Sequence, residues 1–218
     1  MVILLFGPPG CGKGTQGAVI TKTLGIPSIS TGEIFRAELK AGTPLGNAAK
    51  QIMASGGLVG DDIVNAMVSG RLRQPDCRDG FLLDGYPRTL QQAEALGEFL
   101  STQNIGLGYV VNVAVPDGVL EARVVGRRVC SNNDCGAIYH METKPPKQDG
   151  ICDLCGSPLK HRSDDTAEAF RSRMAEFNAT FQPLLGFYER KPNFRSVDGN
   201  LAPEQVFESL VQLFVESA

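Results

Sequence analysis

The stretch Gly7-Pro8-Pro9-Gly10-Cys11-Gly12-Lys13-Gly14-Thr15 has the residues needed to grip a phosphate chain. It fits the spacing G-x-x-x-x-G-K, although Gly14 stands between Lys13 and the hydroxyl of Thr15, which usually follows the lysine directly. Glycines let successive backbone N–H groups turn inward around phosphate oxygens. A helix starting at that point adds a favourable dipole, and a lysine neutralises the outer phosphates. Gly10, Cys11, Gly12, Lys13, Gly14 and Thr15 are therefore candidate contacts to a polyphosphate. The bland alternative is a structural glycine turn, which leaves the lysine and the following helix unexplained.

A second group, Asp84-Gly85-Tyr86-Pro87-Arg88-Thr89, follows the apolar run Phe81-Leu82-Leu83. The carboxyl end of a buried strand is where ligands bind in open α/β sheets. A carboxylate there can hold Mg2+ through its water shell, and a helix-capping aspartate is the competing reading of Asp84. A third group is made of cysteines. Cys130 and Cys135 are separated by four residues, Cys152 and Cys155 by two, and sixteen residues lie between the pairs. Paired thiolates suit tetrahedral Zn2+, and a closed four-sulfur site is structural. A disulfide arrangement is the runner-up, His140 is a spare ligand candidate, and the lone Cys11 and Cys77 read as small buried hydrophobes.

The elements that must position these groups alternate between strand and helix. Val2 to Phe6 reads as a strand buried on both faces, and a helix runs from Gly14 to Leu24. Ile26 to Ile29 makes a short strand. Ser30 and Thr31 then cap a helix that carries Glu33, Ile34, Phe35 and Leu39. Further helices are expected over Thr43–Ala54, Asp61–Leu72, Thr89–Leu100 and Pro116–Arg128, with strands at Phe81–Leu83 and Tyr109–Val115. Cys130 to Pro158 is poor in aliphatic residues and reads as a separate small module. A long helix from Asp164 to Tyr188, bent or ended near Pro183, a strand at Phe194–Val197 and a helix at Pro203–Val215 close the chain. This pattern is an α/β domain with a largely parallel sheet.

Composition bounds the rest. The chain has 218 residues, 42% hydrophobic and 21% charged, with a formal net charge of -3. That supports one substantial core with insertions and argues against a nucleic-acid partner. Neither a charged leader followed by an apolar segment nor a run of about 18 apolar residues is present, so the expected setting is the cytoplasm, with no membrane contact.

With Ser30-Thr31-Gly32-Glu33 added to the phosphate loop and the Asp84–Thr89 group, the sequence resembles the nucleoside monophosphate kinases, specifically the adenylate kinases. Gly126-Arg127-Arg128, Arg162-Ser163-Asp164-Asp165, Arg171 and Arg173 extend the match across roughly residues 1–200. Gly14 after Lys13 is the spelling this family uses. The resemblance implies a P-loop NTPase-type three-layer α/β fold with a five-stranded parallel sheet. Core segments would cover 1–29, 60–125 and 164–218, with a mobile insertion over the monophosphate at 30–59 and a mobile lid at 126–163. It implies reversible transfer between ATP and AMP, giving two ADP, with Mg2+, in a monomer. Arg36 and Arg88 would hold the AMP phosphate, and Arg123 and Arg127 would face ATP. Arg162 and Arg173 would brace the transferring group and share the AMP site. Guanidinium groups suit the task because they bind phosphate in bidentate fashion and stay charged. Arg128 and Arg171 stay ambiguous between site and surface.

Thr31, Gln92 and the backbone of Gly57, Leu58, Val59, Gly85, Tyr86 and Pro87 would line the AMP pocket. Ile138, Tyr139 and Leu201 would lie near the ATP adenine. The cysteines match the zinc-stapled lid that some members carry, in which the metal makes a core-poor lid move as one body. Two rivals stay open. One is a kinase for UMP, CMP or GMP, against which Thr31 and Gln92 argue. The other is a zinc-ribbon module using ATP as a switch, in which Asp84–Arg88 would have no role.

Overall fold

Val2–Phe6 is five consecutive apolar residues, and it forms β1, buried along its whole length. In the computed structural model, which describes residues 1–54, 59–132 and 134–215, β1 is the middle strand of a five-stranded sheet. Its partners are β2 (Ser28–Ser30), β3 (Phe81–Asp84), β4 (Leu107–Ala114) and β8 (Phe194–Asp198), in the order β2-β3-β1-β4-β8. Every adjacent pair is parallel. Side chains alternate across β1. Val2, Leu4 and Phe6 enter one core with Phe81, Leu83 and Val110, while Ile3 and Leu5 enter the other with Leu82, Val111 and Val113. A strand buried on both faces has no need of polar alternation, which is why it reads as a continuous apolar run.

Helices cover the two faces. α4 (Asp61–Leu72) and α5 (Leu90–Thr102) supply Val68, Leu72, Leu96 and Phe99 to the first core. α1 (Lys13–Leu24), α6 (Asp117–Val125) and α8 (Pro203–Val215) supply Ile20, Leu120, Val124, Val206 and Leu210 to the second. The result is a three-layer α/β arrangement, as expected. α2 (Thr31–Ala41) and α3 (Pro44–Ala54) pack on each other beside this core.

α7 (Ala167–Glu189) serves both faces, with Phe170 and Met174 in the second core and Leu184 and Tyr188 in the first. It runs unbroken through Pro183, so the expectation that the helix ends there is corrected. Proline removes one N–H that would have bonded to Ala179, and packing of Phe181 and Leu184 on either side holds the helix together. The helix also starts later than Asp164. Thr166 is its N-cap, accepting a hydrogen bond from the Ala169 N–H at 3.2 Å.

The helix expected over Pro116–Arg128 is shorter as well. It ends at Val125, and Arg127–Cys130 is a strand, β5. The His140 ring lies hard against Gly126, leaving no room there for a Cβ. β5 pairs antiparallel with β6 (Ile138–His140) on one side and β7 (Leu159–Lys160) on the other. This three-stranded sheet has its own small core of Cys130, Tyr139 and Cys152.

The Thr166 cap gives a stability prediction. Thr166→Ala should lower unfolding free energy in urea by about 1 kcal/mol, and Thr166→Asn, which restores an acceptor, should recover most of it.

Candidate active site

Parallel strands aim their carboxyl ends at one edge of the sheet. Leu5 of β1 is level with Asp84 of β3, and Ser30 of β2 is level with the same aspartate. The loop from Gly7 to Gly12 therefore leaves the sheet beside Asp84. Gly7 is at φ 140°, and a Cβ there would sit 2.6 Å from both the Val113 carbonyl oxygen and Cys11 Sγ. Only glycine fits. Gly12, at φ 100°, turns the chain into α1. Lys13 folds back over this loop and donates to the Gly7 carbonyl at 2.7 Å and the Pro8 carbonyl at 3.0 Å. Cys11 is buried beneath it, as expected of a small hydrophobe. Gly14 is exposed and Thr15 half-buried in the first turn of α1.

A Cβ built on Gly14 would lie 3.8 Å from Ile138 Cδ1 and 4.0 Å from Asp84 Oδ2. The helix start, the Asp84 carboxylate and a residue of the small sheet thus converge. The carboxylate oxygen at the loop's open side is a hard donor of the kind Mg2+ takes. Tyr139, next to Ile138, points to the opposite face, as neighbouring strand residues must. Its hydroxyl accepts from the Asp153 N–H at 2.7 Å and lies 3.5 Å from Cys152 Sγ. The structure brings Ile138 to the loop but turns the Tyr139 ring away from it.

A second cluster at the same edge is built from Thr31, Gly85, Arg88 and Gln92. The Thr31 hydroxyl does not cap its helix; it donates to the Gly85 carbonyl at 3.0 Å, and Arg88 Nε donates to the same oxygen at 2.8 Å. Gln92 is 5% exposed. Its Oε1 accepts from the Arg88 N–H at 2.8 Å, while Nε2 donates to Asp61 at 2.6 Å. Tyr86 is buried, with its hydroxyl donating to Asn65 Oδ1 at 2.7 Å. Burial raises that phenol above its ordinary range, and the Asp61 charge adds to the effect. Pro87 is buried, Arg36 and Arg88 are exposed, and Val59 is half-buried. Gly57 and Leu58 lie outside the described residues. Asp61 and Asn65 are additions that the sequence reading missed. An aspartate in the first turn of a helix reads as a dipole partner, and only its three-dimensional neighbours separate the two roles.

The remaining arginines are tied to carboxylates and carbonyls. Asp165, fully buried, takes a bidentate bond from Arg127, whose Nε donates at 2.8 Å and whose Nη2 bonds the other oxygen. Asp164 takes Arg162 in bidentate fashion at 3.0 and 2.9 Å, and Arg173 at 3.2 Å. Arg123 instead reaches the Gly199 carbonyl at 3.0 Å and Asn200 at 3.2 Å, beside the exposed Leu201. Arg171 bonds Glu121 at 3.1 Å on an open surface, and Arg128 bonds backbone carbonyls of Val125 and Arg127. Burial lowers the Arg173 guanidinium from its usual value, and Arg127 and Arg162 nearby add to this against the pull of Asp164.

The four clustered cysteines bring their sulfurs within 4.8 Å of one another. Cys130 and Cys155 are 3.4 Å apart and Cys135 and Cys152 are 3.7 Å apart, all as free thiols. A tetrahedral site with Zn–S bonds of about 2.3 Å has sulfur–sulfur edges near 3.8 Å, so the donor set fits such an ion. His140 is committed elsewhere. Its Nδ1 accepts the Glu142 and Thr143 N–H groups, so Nε2 carries the proton and donates to the Ala122 carbonyl at 3.1 Å.

The adenylate kinase family model matches residues 5–193. An adenylate kinase of Symbiobacterium thermophilum is 50% identical over 206 residues, covering 94% of both chains. One of Carboxydothermus hydrogenoformans is 49% identical over 210 residues, covering 96% of this chain and 97% of its own. One of Clostridium perfringens is 46% identical over 213 residues, 98% of each. The chain belongs to the adenylate kinase family. It is a nucleoside monophosphate kinase, an ATP:AMP phosphotransferase, and the family uses Mg2+ with ATP. Among the described residues, no helix is long and apolar enough to cross a membrane.

Asp164 makes an acid-sensitive contact. Burial pushes its carboxyl up, but Arg162 and Arg173 outweigh that and leave it below its ordinary value. The folded state therefore binds this proton less tightly than the unfolded chain. Its stabilisation is present above the ordinary carboxylate value and is lost as pH falls through the lowered one. Asp164→Asn should cost less than about 1 kcal/mol at pH 7, since the pair is partly open to water. The difference from wild type in urea should fade below about pH 4.

Proposed function

We propose that this chain carries out the family reaction with the donor over Gly7–Thr15 and the acceptor between Thr31, Arg36, Gly85–Arg88 and Gln92. The observation that carries the assignment is the convergence of Gly14, Asp84 and Ile138 at the carboxyl edge of the sheet. Phosphoryl transfer needs two nucleotides held in line and their charge neutralised, with little covalent work from the protein. In this reading the loop N–H groups and Lys13 hold the donor phosphates. Arg36 and Arg88, both exposed toward solvent, hold the acceptor phosphate. Arg123 and Arg127 face the donor, and Arg162 and Arg173 brace the group in transit from the lid side. Bound magnesium, held through water by Asp84, would supply further charge neutralisation. Gly57, Leu58 and Val59 belong to the acceptor side by resemblance, and Leu201, beside the Arg123 contacts, to the donor adenine. Tyr139 contributes through its backbone, since its ring is held in the small sheet.

Thr31 and Gln92 favour AMP over UMP, CMP and GMP as acceptor. A switch-type binding module gives Asp84–Arg88 nothing to do. Residues 126–163 act as the lid, stapled by Zn2+ on Cys130, Cys135, Cys152 and Cys155, and residues 30–59 act as the acceptor cover. The expected setting is the cytoplasm, where clustered cysteines hold a metal sooner than they pair as disulfides. The resemblance to the family implies a monomer as the working unit.

A coupled assay of ADP formation from ATP with AMP, UMP, CMP or GMP decides the acceptor, and a non-adenine preference would reject this assignment. Lys13→Ala and Arg88→Ala should each lower turnover by about 10³-fold or more while circular dichroism stays unchanged; near-normal turnover would mean the roles are misassigned. Metal analysis should give close to one zinc per chain. Cys130→Ser should lose that metal and lower the melting temperature far more than it lowers the rate.

A further inference from the structure

Gln92 is buried in the wall of the proposed acceptor pocket, and its amide is held at both ends. Oε1 accepts from the Arg88 backbone N–H, which can only donate, and Nε2 donates to Asp61 Oδ1, which as a carboxylate oxygen accepts. The second Asp61 oxygen accepts from the Thr89 hydroxyl at 2.6 Å. That hydroxyl oxygen in turn accepts the Gln92 backbone N–H at 3.1 Å. Asp61, Thr89 and Gln92 thus form a closed ring of bonds with a fixed polarity. An amide is nearly symmetric in shape, so packing alone does not choose between its two orientations. Here both partners choose the same one.

We infer that Asp61 is a specificity-determining positioning residue, which locks the Gln92 amide in the orientation that reads adenine and rejects 6-oxopurines. An amide has two N–H donors and two oxygen lone pairs. After the bonds to Asp61 and Arg88, one donor and one lone pair are left for a ligand. Adenine offers a donor at N6 and an acceptor at N1, whereas a 6-oxopurine offers an acceptor at O6 and a donor at N1. A flipped amide would satisfy the second pattern in place of the first. The lock therefore sets the sign of the recognition, and Asp61 does so without touching the base. This inference rests on the acceptor assignment above.

The test compares AMP with inosine monophosphate as acceptors, with ATP as donor. In Asp61→Asn the new side chain can donate or accept, so one of the two partners no longer sets the Gln92 amide and only the Arg88 N–H opposes its turning. The kcat/KM ratio of AMP to inosine monophosphate should fall by about 10- to 100-fold, the range a bidentate base contact is worth. The change should appear mainly in the KM for AMP, with the KM for ATP unchanged. Thr89→Val removes the other partner of Asp61 but leaves the lock, so its ratio should stay near the wild-type value. Equal loss of discrimination in both variants would make Asp61 merely structural and overturn the inference, and so would an unchanged ratio in Asp61→Asn. If Asp61→Asn does not fold, 15N-resolved proton exchange of the wild-type Gln92 amide decides. A Gln92 amide proton protected well beyond those of exposed glutamines supports the lock, and exchange at their rate overturns it. A wild type that does not phosphorylate AMP at all would instead strike the acceptor assignment.

Discussion

The fold is organised around a concentration of positive charge where the small sheet meets the start of α7. Arg127, Arg162 and Arg173 lie close enough that two of them lower the third, and left alone they would repel one another. Two adjacent carboxylates resolve this. Asp165, fully buried, takes the planar fork of Arg127, and Asp164 takes Arg162 and Arg173 together. An uncompensated buried charge is strongly destabilising, which ties Asp165 to Arg127, whereas Asp164 is partly open to water and holds its two arginines more loosely. The same contacts tie the small sheet to the start of α7, because Arg127 begins β5 while Asp164 and Asp165 stand just ahead of the Thr166 cap.

Everything else at the site is placed by the parallel sheet. β1, β2 and β3 end level with one another, and their carboxyl ends release the glycine loop, the Thr31 helix and Asp84 at one edge. Long apolar strands fix that edge firmly, since Val2–Leu5 and Phe81–Leu83 are wholly buried. Arg36 and Arg88 are exposed, while Thr31, Tyr86 and Gln92 are pinned by hydrogen bonds.

The parts legible in the sequence are those whose signal is local. The glycine loop carries its own geometry, and β1 and β3 announce themselves as apolar runs because both faces are buried. The cysteine spacing placed four sulfurs together through the turns it allows. What escaped depends on distant partners. The helix expected to reach Arg128 stops at Val125 because His140 packs on Gly126 and β5 finds partners in β6 and β7, strands too short to show a pattern of their own. Thr31 looks like a cap and bonds across to Gly85 instead. Pro183 looks like a stop, yet α7 passes through it on the strength of two cores. Asp61 and Asn65 have ordinary helix-start and helix-surface signatures, and only the fold brings them to Gln92 and Tyr86.

The position of Lys13 has a further consequence. Its ammonium already rests on the Gly7 and Pro8 carbonyls of its own loop, so the loop is braced from inside by the cation proposed to hold the donor. On that proposal, nucleotide arrival is an exchange of oxygen partners at one nitrogen rather than the ordering of a slack segment. Little chain entropy is left to lose at that step, and binding energy that would otherwise shape the loop remains for distinguishing the transition state from the substrate.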